Sequence, residues 1–449
     1  MIFSRYLIIL FFIPFFVSAA AAAVSGLPPV VEKEGNKADQ IIQASVYGPE
    51  LQLNTTQQII PPAAPELKAV RAVIPGRAVN DGKENTLIDH NVTLPYAVKA
   101  VDRSVLLFSE RIKERFSLYL ERSGRYLGMM KEILKANNMP EDIAFLPLIE
   151  SGFNPNAYSV ARAVGPWQFI AGTAKRYGLK IDWWMDERKD PVKSTEAAAS
   201  YLKDLYGMFG SWNLAMAAYN AGEGRILRAL QRTKSDDYWS LLKTQHIRNE
   251  TKEYIPRFIA ARMIAVNPGE YGFENLDYHT PFQYDEVVLE SPVDLEVAAT
   301  CAETSLVMIK ELNPELRRWS TPPNLGQYRL RIPAGRKDTF FENLMKTPEE
   351  EWFSVSVYTV KKGDTIKSIA AKAGIPVNVL LELNGDLRTL KTGEKVYLPP
   401  KDKFYLDRDD KVRLKKASFK DKGKSKNKKQ KPKKLLVTSL NKKDHYIND

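Results

Sequence analysis

The chain has 449 residues, of which 44% are hydrophobic and 10% aromatic, which suits two or three packed domains and excludes wholesale disorder. One cysteine excludes an intramolecular disulfide, and four scattered histidines (His90, His246, His279, His445) offer no metal-ligand spacing. The formal charge of +12 belongs to one stretch, because residues 411–434 hold thirteen Lys or Arg against one acid, Asp421, and the remainder sums to zero.

The N-terminus reads as an export signal over residues 1–23. Arg5 gives the positive start, "YLIILFFIPFFV" the apolar stretch and "SAAAAA" a small-residue cleavage region. The alternative is an uncleaved anchor, since residues 6–24 are just long enough to span a bilayer. No cysteine follows the apolar stretch, which excludes a lipoprotein anchor. Residues 24–95, with "PPAAPE" and "IPGRAVNDGK", show no sustained period and read as a linker or arm.

Helical patterning runs over residues 96–275. In "SERIKERFSLYLERSGRYLGMMKEILKANN" Ile112, Phe116, Tyr119 and Leu120, then Tyr126, Met130, Ile133 and Leu134, fall at helical spacing, and Asn137–Asn138 end the helix. In "PEDIAFLPLIESGFNPN" the stripe Ile143, Leu146, Ile149 leads to Glu150 on the same side. Pro147 is expected to kink that helix and Gly152 to stop it. A carboxylate at the inner end of a buried helix is desolvated, which raises its pKa and suits a general acid. A structural glutamate bonded to a neighbouring helix end is the other reading of the helix taken alone.

Three further stretches favour the acid. "GPWQF" sets a turn at Gly165–Pro166, then offers the flat face of Trp167 for a sugar ring and the amide of Gln168. "SWNLAMAAYNAGEGRI" caps with Ser211 a helix of small residues that admits a close neighbour, interrupted by the polar Tyr219 and Asn220. "ETKEYIPRFI" presents Tyr254 ahead of a proline-containing helix; alone, such a tyrosine is usually core. Between these, "IDWWMDERKDP" supplies Asp182, Asp186, Glu187 and Asp190 mixed with Arg188 and Lys189, which reads as a solvated loop in which Trp183 and Trp184 could line a cleft.

Two later stretches resemble each other. "ESPVDLEVAATCAETSLVMIKELNPEL" and "KKGDTIKSIAAKAGIPVNVLLELNGDL" each run Asp, helix, break, helix, Leu-Asn, with Asp294 and Asn313 separated by 19 residues and Asp364 and Asn384 by 20. Strand-like flanks make each a strand-helix-helix-strand unit, over residues 281–335 and 354–400. Residues 401–449 form a basic tail too poor in apolar residues to pack.

"ESGFNPNAYS", "GPWQF", "AAYNAGEGR" and "TKEYIPRF", in this order and spacing, resemble the successive motifs of lytic transglycosylases of the lysozyme-like (soluble lytic transglycosylase) superfamily, above all the membrane-bound murein type D branch. "VYTVKKGDTIKSIAAKAG…LLELN…LKTGEKVYLP" is similar to LysM modules, which bind peptidoglycan; the first unit resembles them less, having "PVDLE" in place of Gly-Asp-Thr and an insertion "RRWSTPP". The resemblance implies a mainly α catalytic domain of the lysozyme-like α+β superfamily followed by small α+β (βααβ) LysM-like modules. It implies an exported peptidoglycan lytic transglycosylase that cleaves the MurNAc-GlcNAc β-1,4 bond and leaves 1,6-anhydro-MurNAc ends, with no metal or organic cofactor. Residue by residue it makes Glu150 the single general acid/base and Ser151 its hydrogen-bonding neighbour. Gln168, Tyr219 and Asn220 hold the N-acetyl groups and the reacting sugar, and Tyr254 presses on the glycan beside Glu150. The partner expected is the peptidoglycan strand, with an anionic membrane or wall polymer for the tail. Export, and a single aromatic (Phe419) among the lysines of residues 411–434, count against nucleic acid as a partner. A water-using hydrolase of the same fold, with a well-placed second carboxylate, and a non-catalytic wall-binding protein are the competing readings.

Overall fold

The computed structural model describes residues 95–403 apart from Asp386 and Arg388. The expected export signal, the arm up to residue 94 and the basic tail beyond residue 403 lie outside the described residues. Among the described residues no helix is long and apolar enough to cross a membrane.

The helical part is built around α1 (Pro95–Leu106), α2 (Lys113–Ala136), α3 (Leu146–Glu150), α4 (Pro191–Phe209), α5 (Trp212–Ala221), α6 (Glu223–Thr233) and α7 (Asn249–Val266). Of the helically spaced positions, Phe116, Leu120, Tyr126, Met130 and Leu134 are buried, Ile112, Tyr119 and Ile133 are half-buried, and α2 ends at Asn137 with Asn138 in the left-handed region. The stretch 141–150 is not one kinked helix. A 3₁₀ turn, Glu141–Phe145, gives way to α3, and Pro147 occupies its first turn, where a missing N–H leaves nothing unpaired. Proline here starts a helix.

Asp190 caps α4 by accepting from the backbone N–H of Val192 and Lys193. Helix α5 begins after Ser211, whose side chain makes no capping bond. Ala215, Ala217 and Ala218 on α5 are fully buried, and α5 packs against both α4 and α7. Small side chains let three helices meet where Tyr219 and Asn220 end one of them.

Each C-terminal unit is a two-stranded antiparallel sheet with two helices between its strands. In the first, β1 (Tyr284–Leu289) pairs with β2 (Tyr328–Pro333), Tyr284 facing Pro333 and Leu289 facing Tyr328. Between them lie α8 (Leu295–Cys301) and α9 (Leu306–Leu312). A further helix, α10 (Lys337–Lys346), packs on α8 and adds Phe340 and Leu344 to the same core, so this unit continues past residue 335. In the second, β3 (Ser356–Thr359) pairs with β4 (Lys395–Leu398) around α11 (Ile366–Ala373) and α12 (Val377–Asn384).

The repeated Leu-Asn has a physical cause. Asn313 donates to the carbonyl of Arg331 and accepts from its N–H, and Asn384 does the same with Tyr397. In both units the amide replaces a missing strand partner. The two aspartates part company: Asp364 accepts from Tyr358, Lys361 and Lys372 within its own unit. Asp294 is fully buried and holds Ser354 and Lys403.

The acidic stretch after Ile181 is buried, contrary to the solvated loop its composition suggests. Asp186, Glu187, Arg188 and Asp190 are each at most 5% exposed. Their charges are paired: Asp186 with Arg188 at 2.7 Å, Glu187 with Lys193 at 2.7 Å, and Asp190 with Arg331 of β2 at 2.9 Å. Trp183 and Trp184 do not line a cleft. They pack with Trp319, and the Trp184 indole N–H donates to Glu382 of the second unit at 2.7 Å. The insertion "RRWSTPP" docks there too, with the Arg317 N–H on the Trp184 carbonyl and Arg318 over the Trp183 ring.

Candidate active site

Glu150 is the last residue of α3, and its carboxylate meets the middle of α7, where the Tyr254 hydroxyl donates to Oε1 at 2.5 Å. Glu150 remains half-buried, whereas Tyr254 is 6% exposed. Burial raises the Glu150 pKa; the Tyr254 hydrogen bond pulls it down, and the charge of Glu250 raises it, leaving it at about 7. Burial and the neighbouring carboxylate push the Tyr254 phenol well above its usual value, so it stays a donor.

Ser151 caps α3 and donates to the carbonyl of Pro166 at 2.8 Å. Tyr219, at the end of α5, donates to the carbonyl of Trp167 at 2.7 Å. These hydroxyls fasten consecutive carbonyls of the Gly165–Gln168 turn, one from beside Glu150 and one from the facing helix. Burial and then the charge of Glu150 raise the Tyr219 pKa, so its phenol stays a donor.

Gln168 takes a positive φ of 50° and its amide donates to the carbonyl of Gly165 at 2.9 Å, folding back on its own turn. Trp167 is fully buried, with its indole N–H on Thr195 at 2.8 Å. It belongs to the core and has no face for a sugar. Gly165 adopts φ +84°, and a Cβ there would lie 1.8 Å from the carbonyl oxygen of Arg188. Arg188 also donates to the carbonyls of Arg162 and Phe169, so the buried 186–190 segment buttresses the turn from behind.

Asn220 is half-buried and accepts from the Thr251 hydroxyl at 3.2 Å, tying the end of α5 to the first turn of α7. The structure thus gathers Glu150, Ser151, Tyr219 and Tyr254 through direct bonds or shared partners, with Gln168 on the same turn and Asn220 next to Tyr219. Thr251 and Glu250 were not singled out in the sequence, although both sit just ahead of Tyr254 in "ETKEYIPRF". Asp182, Asp186, Glu187 and Asp190 are committed to backbone N–H groups and ion pairs and do not attend Glu150. Among the described residues, no cluster of His, Cys, Asp and Glu is suited to a metal.

Residues 129–242 match the Transglycosylase SLT domain, a span that contains Glu150, Ser151, Gln168, Tyr219 and Asn220 and stops short of Tyr254. Residues 283–348 match the LysM-like domain of lytic transglycosylase MltD, and residues 358–399 match the LysM domain. The chain is 34% identical over 301 residues to the membrane-bound lytic murein transglycosylase D of Escherichia coli K12, covering 62% of this chain and 66% of that protein. It is 38% identical over 104 residues to the peptidoglycan transglycosylase gp16 of Escherichia phage T7, 22% of this chain and 8% of that one. Among solved structures, the soluble lytic transglycosylase Slt70 of Escherichia coli aligns over 41% of this chain and 32% of its own, with 21% identity and a TM-score of 0.29. The chain thus carries, in order, a stretch matching the SLT domain, one matching the MltD LysM-like domain and one matching the LysM domain, and its alignment spans just under two thirds of the length of the transglycosylase D it matches.

Proposed function

We propose that this chain is a peptidoglycan lytic transglycosylase, acting in the cell envelope on the β-1,4 bond between MurNAc and GlcNAc. The observation that carries the reading is Glu150, a carboxyl with a pKa of about 7 held by Tyr254. Near neutral pH such a group is divided between acid and base forms, which one residue needs if it gives a proton and then takes one. In the first step Glu150 protonates the glycosidic oxygen and the C1–O bond breaks, with the substrate's own acetamido oxygen sharing the charge left on C1. The ionised Glu150, stabilised by the Tyr254 hydroxyl, then accepts the proton of the C6 hydroxyl. O6 bonds to C1, the 1,6-anhydro ring closes, and Glu150 is protonated again. No water is consumed.

In this reading Ser151 and Tyr219 keep the Gly165–Gln168 turn against the acid, and Gln168 and Asn220 bind the sugar's polar groups. Residues 96–275 are the catalytic domain, and residues 354–400 retain the enzyme on the wall. The unit that begins at residue 281 is mainly a bracket, since the segments around Asp294 and Arg317 are buried. Export through residues 1–23 brings the chain to the periplasm, and the tail of residues 401–449 holds it electrostatically to anionic lipid or wall polymer. The Glu150→Gln variant, assayed on purified sacculi, tests the assignment. Turnover should fall about 100- to 10,000-fold with glycan binding kept. Retention of a third of wild-type activity would remove Glu150 from the mechanism.

A further inference from the structure

Helix α6 and the segment leading into α7 share a basic face. Arg225, Arg228 and Arg232 recur at helical spacing on α6, and Arg248 directly precedes α7. With His246 they line a depression of about 310 Å³. Arg228, Arg232 and Arg248 are exposed, and among the described residues no carboxylate lies within ion-pair distance of any of the four arginines. In the same helical domain Arg176 pairs with Glu223 and Arg103 with Glu253. Four like charges gathered in a concavity repel one another unless an anion enters it.

The depression is tied to the site by its walls. Arg225 donates to the carbonyl of Ala221 at 2.8 Å, next to Asn220. Asn220 is held by Thr251, three residues beyond Arg248. Arg248 directly precedes α7, which delivers Tyr254, and α6 follows α5, which delivers Asn220, across Gly222 alone. Its apolar lining, Ala229 and Ile247, is buried, so no apolar group projects there to enter a bilayer.

We infer that this depression binds the carboxylates of the peptide stems borne by peptidoglycan strands, so that the enzyme selects stem-bearing glycan over stripped glycan. The inference rests on the reading under Proposed function, which supplies the strand at Glu150. Guanidinium groups present paired donors that fit a carboxylate's two oxygens. Stems carry several carboxylates, matching a pocket with several unpaired cations.

The test uses the full chain, wild type and the double variant Arg228→Gln with Arg232→Gln, after thermal melts show that both fold. Each is assayed on stem-bearing strands and on the same strands stripped of peptide by an amidase. The ratio of kcat/KM, stem-bearing over stripped, should fall about tenfold in the double variant. A ratio that stays within twofold overturns the inference, whether activity is kept or lost equally on both strands. Loss of binding to phosphatidylglycerol vesicles with an unchanged ratio would also overturn it and give the patch to lipid. Wild-type protein that cleaves neither strand would instead overturn the proposed function, and this inference with it.

Discussion

The Tyr254 hydroxyl donates to Oε1 of Glu150 at 2.5 Å, joining residues 104 apart in sequence. That bond favours the ionised carboxylate, while the burial of Glu150 favours the protonated one. The balance sets the residue near neutrality.

Removing the hydroxyl tips this balance in a known direction. In the Tyr254→Phe variant, Glu150 keeps its proton to higher pH, so the limb of the pH–kcat profile that reports it should move upward. Turnover should fall about 10- to 100-fold, because the carboxylate left after proton transfer loses a charge-assisted hydrogen bond. A pH–rate profile shows both effects. A limb that stays in place would mean that the bond does not tune the acid.

The turn that carries Gln168 should be intolerant at Gly165 for two separable reasons. Gly165→Ala forces a side chain into the left-handed region and against the Arg188 carbonyl. Together these should cost about 2–5 kcal/mol. Gly178 has a similar φ of +86° with nothing within 4 Å of an added Cβ, so Gly178→Ala isolates the backbone strain, about 1–2 kcal/mol. Urea melts of both variants measure the difference. Equal losses would show that the Arg188 contact does not hold the turn.

Much of the site is legible in local sequence because its signals are local. Glu150 ends an apolar stripe, Tyr219 and Asn220 break a run of alanines, and the paired Leu-Asn marks two copies of one unit. What local reading misses depends on distant partners. The charges of 182–190 look solvated until Arg331 and the Glu315 carbonyl arrive from the first C-terminal unit. Trp167, Trp183 and Trp184 look available for sugar until Thr195, Trp319 and Glu382 claim them. Pro147 breaks a helix in isolation, yet here the chain already turns at Phe145, so it begins one.

The tryptophan cluster ties the second C-terminal unit to the rest of the fold. Deleting residues 354–400 uncovers Trp183, Trp184 and Trp319 and frees Asp294 of its Ser354 partner. Uncovering even one large aromatic costs roughly 2–3 kcal/mol, so the melting temperature should fall by several degrees. Below that temperature, retention on insoluble peptidoglycan should drop more than turnover of short soluble glycans. An unchanged melting temperature would show that the cluster closes without the module.

Glu150 also sets a pH dependence of folding. Its pKa stands at about 7 when folded, against the ordinary 4.5. Between those values the folded chain holds a proton that the unfolded chain releases. This contribution to stability is therefore complete below about pH 4.5 and lost as pH rises through about 7. Glu150→Gln resembles the protonated form at every pH. It should match wild type near pH 4.5 and exceed it at pH 8, by on the order of 1–3 kcal/mol. Melts at the two pH values check this; the same offset at both would mean that the carboxylate is not desolvated.

If one carboxyl closes the substrate on itself without water, the mass of the products reads it directly. Sacculi digested with wild-type protein and analysed by mass spectrometry should yield fragments ending in 1,6-anhydro-MurNAc, each lighter by one water than its hydrolysed counterpart. Digestion in ¹⁸O-labelled water should leave those ends unlabelled, and Glu150→Gln should yield neither kind of end. Reducing ends carrying ¹⁸O would contradict the account and assign the chain to hydrolysis.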